Sequence, residues 1–460
     1  MKSEDMIIRI LTTILLFLLG IPTHAQQENQ SCGTITPSHE WEIEFQKFIV
    51  DRKSNQESQK QSSTVYTIPV IFHVIHSGQP IGTFPNISQG QINSQLTVLN
   101  QDFSGNGYNS SNYPSNAFVN WVINQSLPAT NIDNSGRVKI ADVGIQFCLA
   151  TKDTLGNILL EPGIERIDYN SKGWSDPSSF STQTALATYL NSTIKPQSIW
   201  NVTKYLNVWV SDKNSAISYR GVATYPPLSG LTGLFGAGTD STDGIWCYAE
   251  AIGSNILFPS GIYGSTLVEG RTLTHEVGHY LGLRHIWGDE ACASDYCDDT
   301  PPAAAQNIGA PSSYPFNIGS CGSPANSPDG EMFMNFMDYP WDPYKYMFTT
   351  DQATRMQTAM LNSPYRNQLG THGLCSASLG LNDVNLNNAI SIYPNPANAE
   401  LNLNGTLNEI DEVSIRNLFG QVLIETKNQN SIDVSGLSNG VYIITITQGH
   451  LKQTRKFVKQ

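Results

Sequence analysis

The sequence is poor in charged residues and has no long apolar run beyond its N-terminus. Only 14% of the 460 residues are charged, and 26 Lys and Arg stand against 39 Asp and Glu. This acidic balance argues against nucleic acid as a partner and offers no basic patch for an anionic membrane. No later stretch approaches the roughly eighteen apolar residues of a membrane-spanning helix. The sequence therefore predicts no membrane span.

The N-terminus has the pattern of an export signal. Lys2 and Arg9 precede an apolar run from Ile10 to Ile21, and Ala25 supplies a small residue at its end. The run is too short for a comfortable membrane span, which favours a cleavable signal peptide over residues 1–25. We therefore expect export through the periplasm, to the cell surface or the medium.

Export makes disulfide bonds possible, but the cysteine count is odd. Cys32 stands alone in a polar N-terminal stretch, so it is the candidate for a role other than pairing. Cys292, Cys297 and Cys321 are expected to form local bridges, with Cys375 as an alternative partner for one of them. Spacing leaves the connectivity open. The seven cysteines are Cys32, Cys148, Cys247, Cys292, Cys297, Cys321 and Cys375.

A histidine motif near residue 280 carries the strongest chemical signal. His275 and His279 are four residues apart, so both imidazoles lie on one side of a helix, with Glu276 beside them. Gly282 stands where the helix must end, since a residue without Cβ accepts the left-handed conformation that brings His285 back to the same point. The opposite face of this helix is apolar and consists of Leu273, Val277, Tyr280 and Leu281.

Three histidines in this pattern indicate a zinc site. A bare H-E-x-x-H arises by chance in long chains, but the extended H-E-x-x-H-x-x-G-x-x-H pattern in phase with an apolar face is far more specific. Three imidazoles leave the fourth zinc position open, which marks a catalytic rather than a structural site. Water bound there would have a pKa lowered to about 7. Glu276 would take its proton as general base and return it as general acid.

The chain divides into a main domain and a small C-terminal one. We place the main domain at residues 63–375, because a strand-like run begins at Val65. Helical spacing follows in residues 88–103 and 185–194 and again from Thr350, and strand-like runs cover 143–150, 206–210 and 244–251. Residues 288–329 are rich in Pro, Gly, Ser, Asp and Cys, which predicts a segment held by disulfides or an ion. Residues 376–389 are predicted to form a linker.

The zinc motif and a later methionine turn resemble the metzincin metallopeptidases. The turn is Asn335-Phe336-Met337-Asp338-Tyr339, and the resemblance implies that Met337 lies as an apolar base beneath the zinc ligands. Tyr339 would hydrogen-bond the reaction intermediate. The alternative is that Met332, Met334 and Met337 are ordinary core residues.

Further features resemble the pappalysin family within the metzincins, in its ulilysin-like branch. They are Met347-Phe348-Thr349 with Gln352, Arg355 and Met356, and Ile68-Pro69-Val70 leading to His73 and His76. The resemblance spans about residues 32–361. It implies an α+β fold: a metzincin-type catalytic domain with a mixed twisted sheet, the zinc helix and a C-terminal helix. It also implies secreted endopeptidase activity.

The family resemblance suggests latency and a second metal. Ser31-Cys32-Gly33-Thr34 looks like a switch in which a propeptide, here residues 26–62, places the Cys32 thiolate on zinc. An unpaired thiol and a lipoprotein anchor are the alternatives. The family also binds calcium near its cleft. The oxygen ligands expected here are Asp298, Asp299 and Thr300, together with Asp289 and Glu290; a solvated acidic loop is the competing interpretation.

The C-terminal residues 390–460 predict a small all-β sandwich. Short alternating strands are separated by glycines. Tyr393-Pro394-Asn395-Pro396 and the end Lys456-Phe457-Val458-Lys459 resemble a type IX secretion sorting domain. The resemblance implies the type IX secretion machinery as a partner. A carbohydrate-binding or adhesive sandwich is the alternative.

Together these features predict a secreted zinc endopeptidase, made as a latent zymogen, that hydrolyses proteins or peptides. A catalytically inactive surface-binding protein on the same scaffold is the main alternative. A zinc hydrolase of small amides or esters is a third possibility.

Overall fold

The structure is a computed structural model. It describes residues 32–58, 65–228, 236–311, 313–323, 326–375, 390–405, 412–417, 421–427, 429–448 and 451–460. The predicted signal peptide and the predicted linker at 376–389 lie outside the described residues. Within the described part of the chain, no helix is long and apolar enough to cross a membrane.

A mixed sheet of six strands organises the main domain. Its central strand β1 pairs in parallel with β2 along its first half, with β3 along its second half and with β4 on its other side. Strand β6 continues the sheet in parallel, and β5 closes it as an antiparallel edge. The strands are β1 Tyr66–His76, β2 Ile145–Leu149, β3 Ile164–Asp168, β4 Leu206–Ser211, β5 Gly221–Ala223 and β6 Ile245–Tyr248.

Both faces of the sheet are covered, which explains the nearly unbroken apolar run of β1. Ile68, Val70 and Phe72 point to the face that carries the histidine helix. Ile75 points to the other face, where it joins a cluster containing Trp209. The α-helices are α1 His39–Ser58, α2 Gln89–Phe103, α3 Val119–Gln125, α4 Gln183–Tyr189, α5 Lys195–Ser198, α6 Arg271–Tyr280 and α7 Thr350–Asn362.

The predicted helices and strands of the main domain are largely confirmed. Helix α2 begins after Ser88, whose side chain caps Gln91 N. Helix α7 begins with a capping box between Thr349 and Gln352. The helix predicted over 185–194 starts earlier and changes to a π-helix at Leu190–Ile194. The short strands β3 and β5, and the parallel pair β7 Ile308–Gly309 and β8 Tyr339–Pro340, were not predicted.

The C-terminal residues form antiparallel sheets with their own core. Two sheets have the orders β13-β10-β9 and β12-β11-β14-β15. Their buried side chains form one cluster drawn from residues 397–457. The predicted all-β character is confirmed. The strands are β9 Ile390–Tyr393, β10 Glu400–Gly405, β11 Glu412–Arg416, β12 Val422–Thr426, β13 Ser431–Asp433, β14 Gly440–Gln448 and β15 Leu451–Lys459.

Two disulfides occur among the described cysteines, and they correct part of the expected pairing. Cys292–Cys321 closes the segment after the histidine motif, as predicted. Cys375 pairs instead with Cys148, 227 residues away, because the chain after α7 returns to the end of β2. Cys297 is buried and unpaired, so the prediction of a bridge for it is wrong. Cys32 and Cys247 are also free.

Candidate metal centre and active site

Helix α6 carries the first two histidines of the motif. It begins after Gly270, whose φ of +84° is the left-handed conformation that favours glycine. Every residue of the helix is buried, so its predicted apolar face contacts the core and its polar face is enclosed as well. The chain turns after the helix at Gly282, which has a φ of +95°. This is the conformation predicted there, and it brings His285 beside the helix.

The three histidine side chains converge through their Nε2 atoms. The Nε2 atom of His279 lies 3.1 Å from that of His275 and 3.1 Å from that of His285. The Nδ1 atoms point away and are held by oxygen acceptors. His275 Nδ1 donates to Phe336 O at 2.7 Å, and His279 Nδ1 donates to Leu283 O at 2.8 Å. All three Nε2 lone pairs therefore face one another.

This donor set fits a zinc ion. Burial is the main cause that lowers the pKa of His275 and lowers that of His279 to about 3, so these imidazoles are neutral. Neutral lone pairs directed at one point repel unless a cation lies among them. Tetrahedral zinc with Zn–N bonds of about 2.1 Å separates its nitrogens by roughly 3.4 Å, close to the spacing here. Among the described residues, one cluster of metal-ligand type was found: Cys32, His275, His279 and His285, with ligand atoms all within 4.8 Å of one another.

Glu276 lies next to the histidines in a fully buried position. Burial raises the pKa of its carboxyl group to about 7, although hydrogen bonds from Thr34 and Cys32 lower it in part. Its Oε2 accepts from the Thr34 hydroxyl at 2.8 Å, while Oε1 is buried without a hydrogen bond. Strand β5 passes so closely that a Cβ on Gly221 would lie 2.5 Å from Glu276. The carboxyl group thus has a pKa suited to proton transfer near neutral pH.

The structure brings Cys32 to the histidines. Its backbone forms a parallel bridge with Gly221 of the edge strand β5, and Gly33 N donates to Gly221 O at 2.9 Å. A Cβ on Gly33 would lie 2.8 Å from Val222, so only glycine passes at this point. Thr34 Oγ1 also accepts from Ala223 N at 2.8 Å. Residues 32–34 therefore lie along the sheet edge and across the site.

The methionine turn lies directly against helix α6. Met337 is fully buried, and a Cβ on Gly278 would lie 2.4 Å from its sulfur. Phe336 O, in the same turn, is the acceptor that holds His275. The Tyr339 hydroxyl lies 2.9 Å from His285 Nε2. Met337 and Tyr339, the two turn residues singled out from the sequence, thus both lie at the site.

The residues predicted as calcium ligands have separate partners. The side chain of Asp298 is 82% exposed and lies 4.0 Å from Lys53. Asp299 is buried, and its Oδ2 accepts from Asn131 and from Asp351 N. The Thr300 hydroxyl donates to Asp295. Glu290 is exposed.

Asp289 has a different partner from the one predicted, since its Oδ1 hydrogen-bonds His285 Nδ1. Tyr225 also belongs to the site, because its hydroxyl lies 3.1 Å from His279 Nδ1 and donates to Leu283 O. Sequence reasoning missed the roles of Asp289, Tyr225 and Thr34. Only the position of Asp289, four residues after the last histidine, offered a local signal.

A cleft of about 870 Å³ opens beside the centre. The residues that line it include His285, Trp287, Tyr339, Gln183 and Asn191. Cys32 to Thr36 also line it, so the N-terminal segment occupies part of the space next to the histidines. The ring of Trp287 stacks on His285 with centroids 4.4 Å apart.

Comparison with known proteins places this geometry in a family. Residues 262–361 match the peptidase family described as pregnancy-associated plasma protein-A. Mature mirolysin of Tannerella forsythia, solved in complex with a cleaved peptide, is 31% identical, with a TM-score of 0.50 over 67% of this chain and 97% of that one. The chain belongs to the pappalysin family of metallopeptidases. This family implies a catalytic zinc.

Three further relatives are similar to parts of this chain. A promirolysin mutant of Tannerella forsythia is 28% identical, with a TM-score of 0.52 over 74% of this chain and 97% of that one. An extracellular metalloprotease of Aspergillus fumigatus is 30% identical over 179 residues, which are 37% of this chain and 52% of that protein. One of Arthroderma otae is 39% identical over 93 residues, 20% of this chain and 32% of that protein. The chain thus spans about half or less of these curated relatives.

Residues 391–460 match the secretion system C-terminal sorting domain. This match confirms the identification of the C-terminal module, and with the extracellular relatives it indicates a secreted or cell-surface protein.

Proposed function

We propose that this pappalysin-like chain is a secreted zinc endopeptidase made as a latent zymogen. The observation that carries the proposal is the convergence of three neutral histidine Nε2 atoms beside a buried glutamate, with a free cysteine at the same point. His275, His279 and His285 would hold the ion. The relatives described as extracellular metalloproteases, and mirolysin with its cleaved peptide, support a protein or peptide substrate.

The residues of the site have separable tasks. When bound, zinc would supply a Lewis acid and lower the pKa of a coordinated water to about 7. Glu276, with its pKa near 7, would accept the proton of the attacking water and deliver it to the leaving amine. Burial raises the pKa of Tyr339 well above its usual value, so its hydroxyl keeps its proton and can donate a hydrogen bond to the developing charge on the scissile carbonyl oxygen. Met337 would support helix α6 by packing against Gly278.

Latency would come from the N-terminal segment. Cys32 Sγ lies within 4.8 Å of the three histidine ligand atoms, close enough that it would serve as the fourth zinc ligand, and the Thr34 hydroxyl donates a hydrogen bond to the Glu276 carboxylate. We propose residues 1–25 as signal peptide and 26–62 as propeptide, ahead of a catalytic domain at 63–375 and a sorting domain at 390–460. The sorting domain would engage the type IX secretion machinery.

Proteolysis is tested with casein and gelatin as substrates. We expect the processed chain to cleave both, and we expect a zinc chelator or Glu276→Ala to abolish cleavage. If processed, zinc-loaded wild type leaves both substrates intact, the endopeptidase proposal is wrong.

The cysteine switch is tested by timing autoprocessing. Cys32→Ala should shed the N-terminal segment earlier than the parent chain, since one of the contacts that block the site is lost. Cys247→Ala is the matched control, because Cys247 is also a free, buried cysteine but is not in the histidine cluster. Equal latency in the Cys32 variant and the parent would contradict the switch.

A structural calcium ion near residues 295–299 is also proposed. Asp295 Oδ2 and Asp299 Oδ1 are both buried without a hydrogen bond, and burial raises the pKa of Asp295 to about 8 and that of Asp299 to about 7. A hard cation would offset this cost. A thermal melt that responds to neither calcium nor a calcium-selective chelator would dismiss the proposal.

A further inference from the structure

His285 differs from the other two histidines in the group that holds its outer nitrogen. His275 and His279 donate to the backbone carbonyls of Phe336 and Leu283. His285 Nδ1 instead donates to the carboxylate Oδ1 of Asp289. His285 is also the one histidine of the three that lies on the turn after helix α6 rather than on the helix. Its side chain therefore depends more on its contacts for orientation.

The Asp289 backbone adopts an uncommon conformation. Its φ is +68°, a region that disfavours most residues with a side chain but that Asp and Asn tolerate. The side chain is 15% exposed. Such strain persists where surrounding contacts hold it, and here the contact is the hydrogen bond to His285.

Arg284 supplies a positive charge close to the second carboxylate oxygen. Its Nη1 lies 3.6 Å from Asp289 Oδ2, an atom that is buried and has no hydrogen bond. The same guanidinium donates to Glu42 Oε2 at 3.2 Å and to Pro37 O at 2.8 Å. Arg284 therefore shares its charge between Asp289 and the N-terminal segment.

We infer that Asp289 is a positioning residue that fixes the tautomer and orientation of His285 for metal binding, with Arg284 as its charge partner. A carboxylate behind a ligating histidine holds the ring by a hydrogen bond and makes the coordinating nitrogen more basic. Ring stacking by Trp287 at an interplanar angle of 7° restrains the plane of His285 but not its tautomer. The hydrogen bond to Asp289 fixes the tautomer of His285, which the stacking contact does not.

The inference rests on the zinc site proposed above, and zinc affinity tests it in the full chain. A Glu276→Ala background prevents self-cleavage, and a chromophoric chelator competes for the metal. Asp289→Gly removes the carboxylate and suits the positive φ. We expect it to weaken zinc binding by about 10- to 100-fold, the usual effect of losing such a partner. Asp289→Asn keeps a neutral acceptor and should lose less.

Glu290→Gln is the matched control, since it removes a neighbouring carboxylate that is exposed. It should bind zinc like the parent. With Co²⁺ in place of zinc, the visible absorption bands should shift in both Asp289 variants and not in the control, because ligand basicity changes only in the former. Thermal melting of the metal-free chains identifies any variant that has failed to fold. If one Asp289 variant fails to fold, zinc affinity is compared between the parent and the other Asp289 variant.

Two outcomes are distinguishable. If the parent binds zinc and a folded Asp289→Gly chain binds it within about twofold of the parent, the positioning role is overturned and the zinc site stands. If the parent itself binds no zinc, the proposed function fails, and the inference fails with it.

Discussion

Thr34 places one hydroxyl group between the N-terminal segment and the proposed general base. The hydroxyl donates to Glu276 Oε2 at 2.8 Å and accepts from Ala223 N at 2.8 Å. Both bonds lie at the edge of the site, where a reacting water would need the same carboxylate. In the proposed zymogen, Thr34 would thus block the base, while Cys32 would block the fourth ligand position. The two contacts act on different groups.

Thr34→Val should therefore weaken latency even with Cys32 intact. Valine keeps the shape but loses the hydroxyl, and a hydrogen bond to a charged group contributes about 1.5–3 kcal/mol. We expect release of the N-terminal segment to be about tenfold faster or more, measured as autoprocessing over time. Thr36→Val, on the same segment, is the control. Equal rates for Thr34→Val and the parent would refute the second contact.

The methionine turn approaches helix α6 closely at Gly278. Alanine would raise helix propensity by about 1 kcal/mol, but its Cβ would lie 2.4 Å from the Met337 sulfur. Overpacking costs about 1–3 kcal/mol and should dominate, so Gly278→Ala should lower the free energy of unfolding in denaturant titrations. Gly436→Ala, where a Cβ meets nothing within 4 Å, should not. A Gly278→Ala chain more stable than the parent would show that Met337 can move aside at little energetic cost.

At the scale of elements, helix α1 holds the N-terminal segment on the main domain. Its Glu42 is fully buried and accepts from Arg355 at 2.7 Å and from Arg284 at 3.2 Å. Trp41 and Phe45, next to Glu42 on the same helix, cover Gly282. A Cβ on Gly282 would lie 3.2 Å from Phe45. The helix therefore docks by an apolar face with one charge cluster at its centre.

This cluster predicts acid sensitivity of docking. Burial raises the pKa of Glu42, but the charges and hydrogen bonds of Arg355 outweigh it and leave the pKa below its usual value. A carboxyl group with a lowered folded pKa contributes stability that is full above its unfolded pKa of about 4.3 and is lost as the pH falls through the folded pKa. The docked helix should therefore loosen below about pH 4.

Glu42→Gln tests this dependence. Breaking a buried ion pair costs about 3–5 kcal/mol, so the variant should melt well below the parent near neutral pH, with both chains in the Glu276→Ala background. The gap in melting temperature should narrow as the pH falls below about 4. Glu44→Gln, whose side chain is 38% exposed beside Lys47, is the control. A gap that is the same at all pH values would contradict the role of the Glu42 charge.

At the scale of the whole molecule, the main domain and the sorting domain have separate cores. The buried cluster of residues 397–457 shares no residue with the cluster around the histidine helix. Each domain therefore buries its own apolar surface, which is the condition for independent folding.

Truncation after Cys375 should leave the main domain folded and, once processed, as active on casein as the full chain. It retains the Cys148–Cys375 disulfide. A truncated chain with a melting transition within a few degrees of the full chain, and equal casein cleavage, is the expected result. A truncated chain that fails to fold would show that the sorting domain contributes to the fold of the main domain.

Much of the site was accessible from sequence because its signals are local. His275, Glu276 and His279 are placed by the period of one helix, and Gly282 by the turn that follows. Asp289 was assigned to calcium, because its proximity to His285 depends on a backbone conformation that sequence does not reveal. The contact of Thr34 with Glu276 and that of Tyr225 with His279 gave no local signal, since both residues lie far along the chain from helix α6.

From the sequence alone, the three histidines and the glutamate are predicted to form a metal site, the C-terminal residues are predicted to be all-β, and the chain resembles a peptidase family. These features are set by short-range spacing and by side-chain chemistry. The folded structure was needed to show which oxygen accepts from each histidine, that Cys375 pairs with Cys148, and that Thr34 contacts Glu276. Such contacts join residues up to 242 positions apart, and chain folding rather than local pattern brings them together.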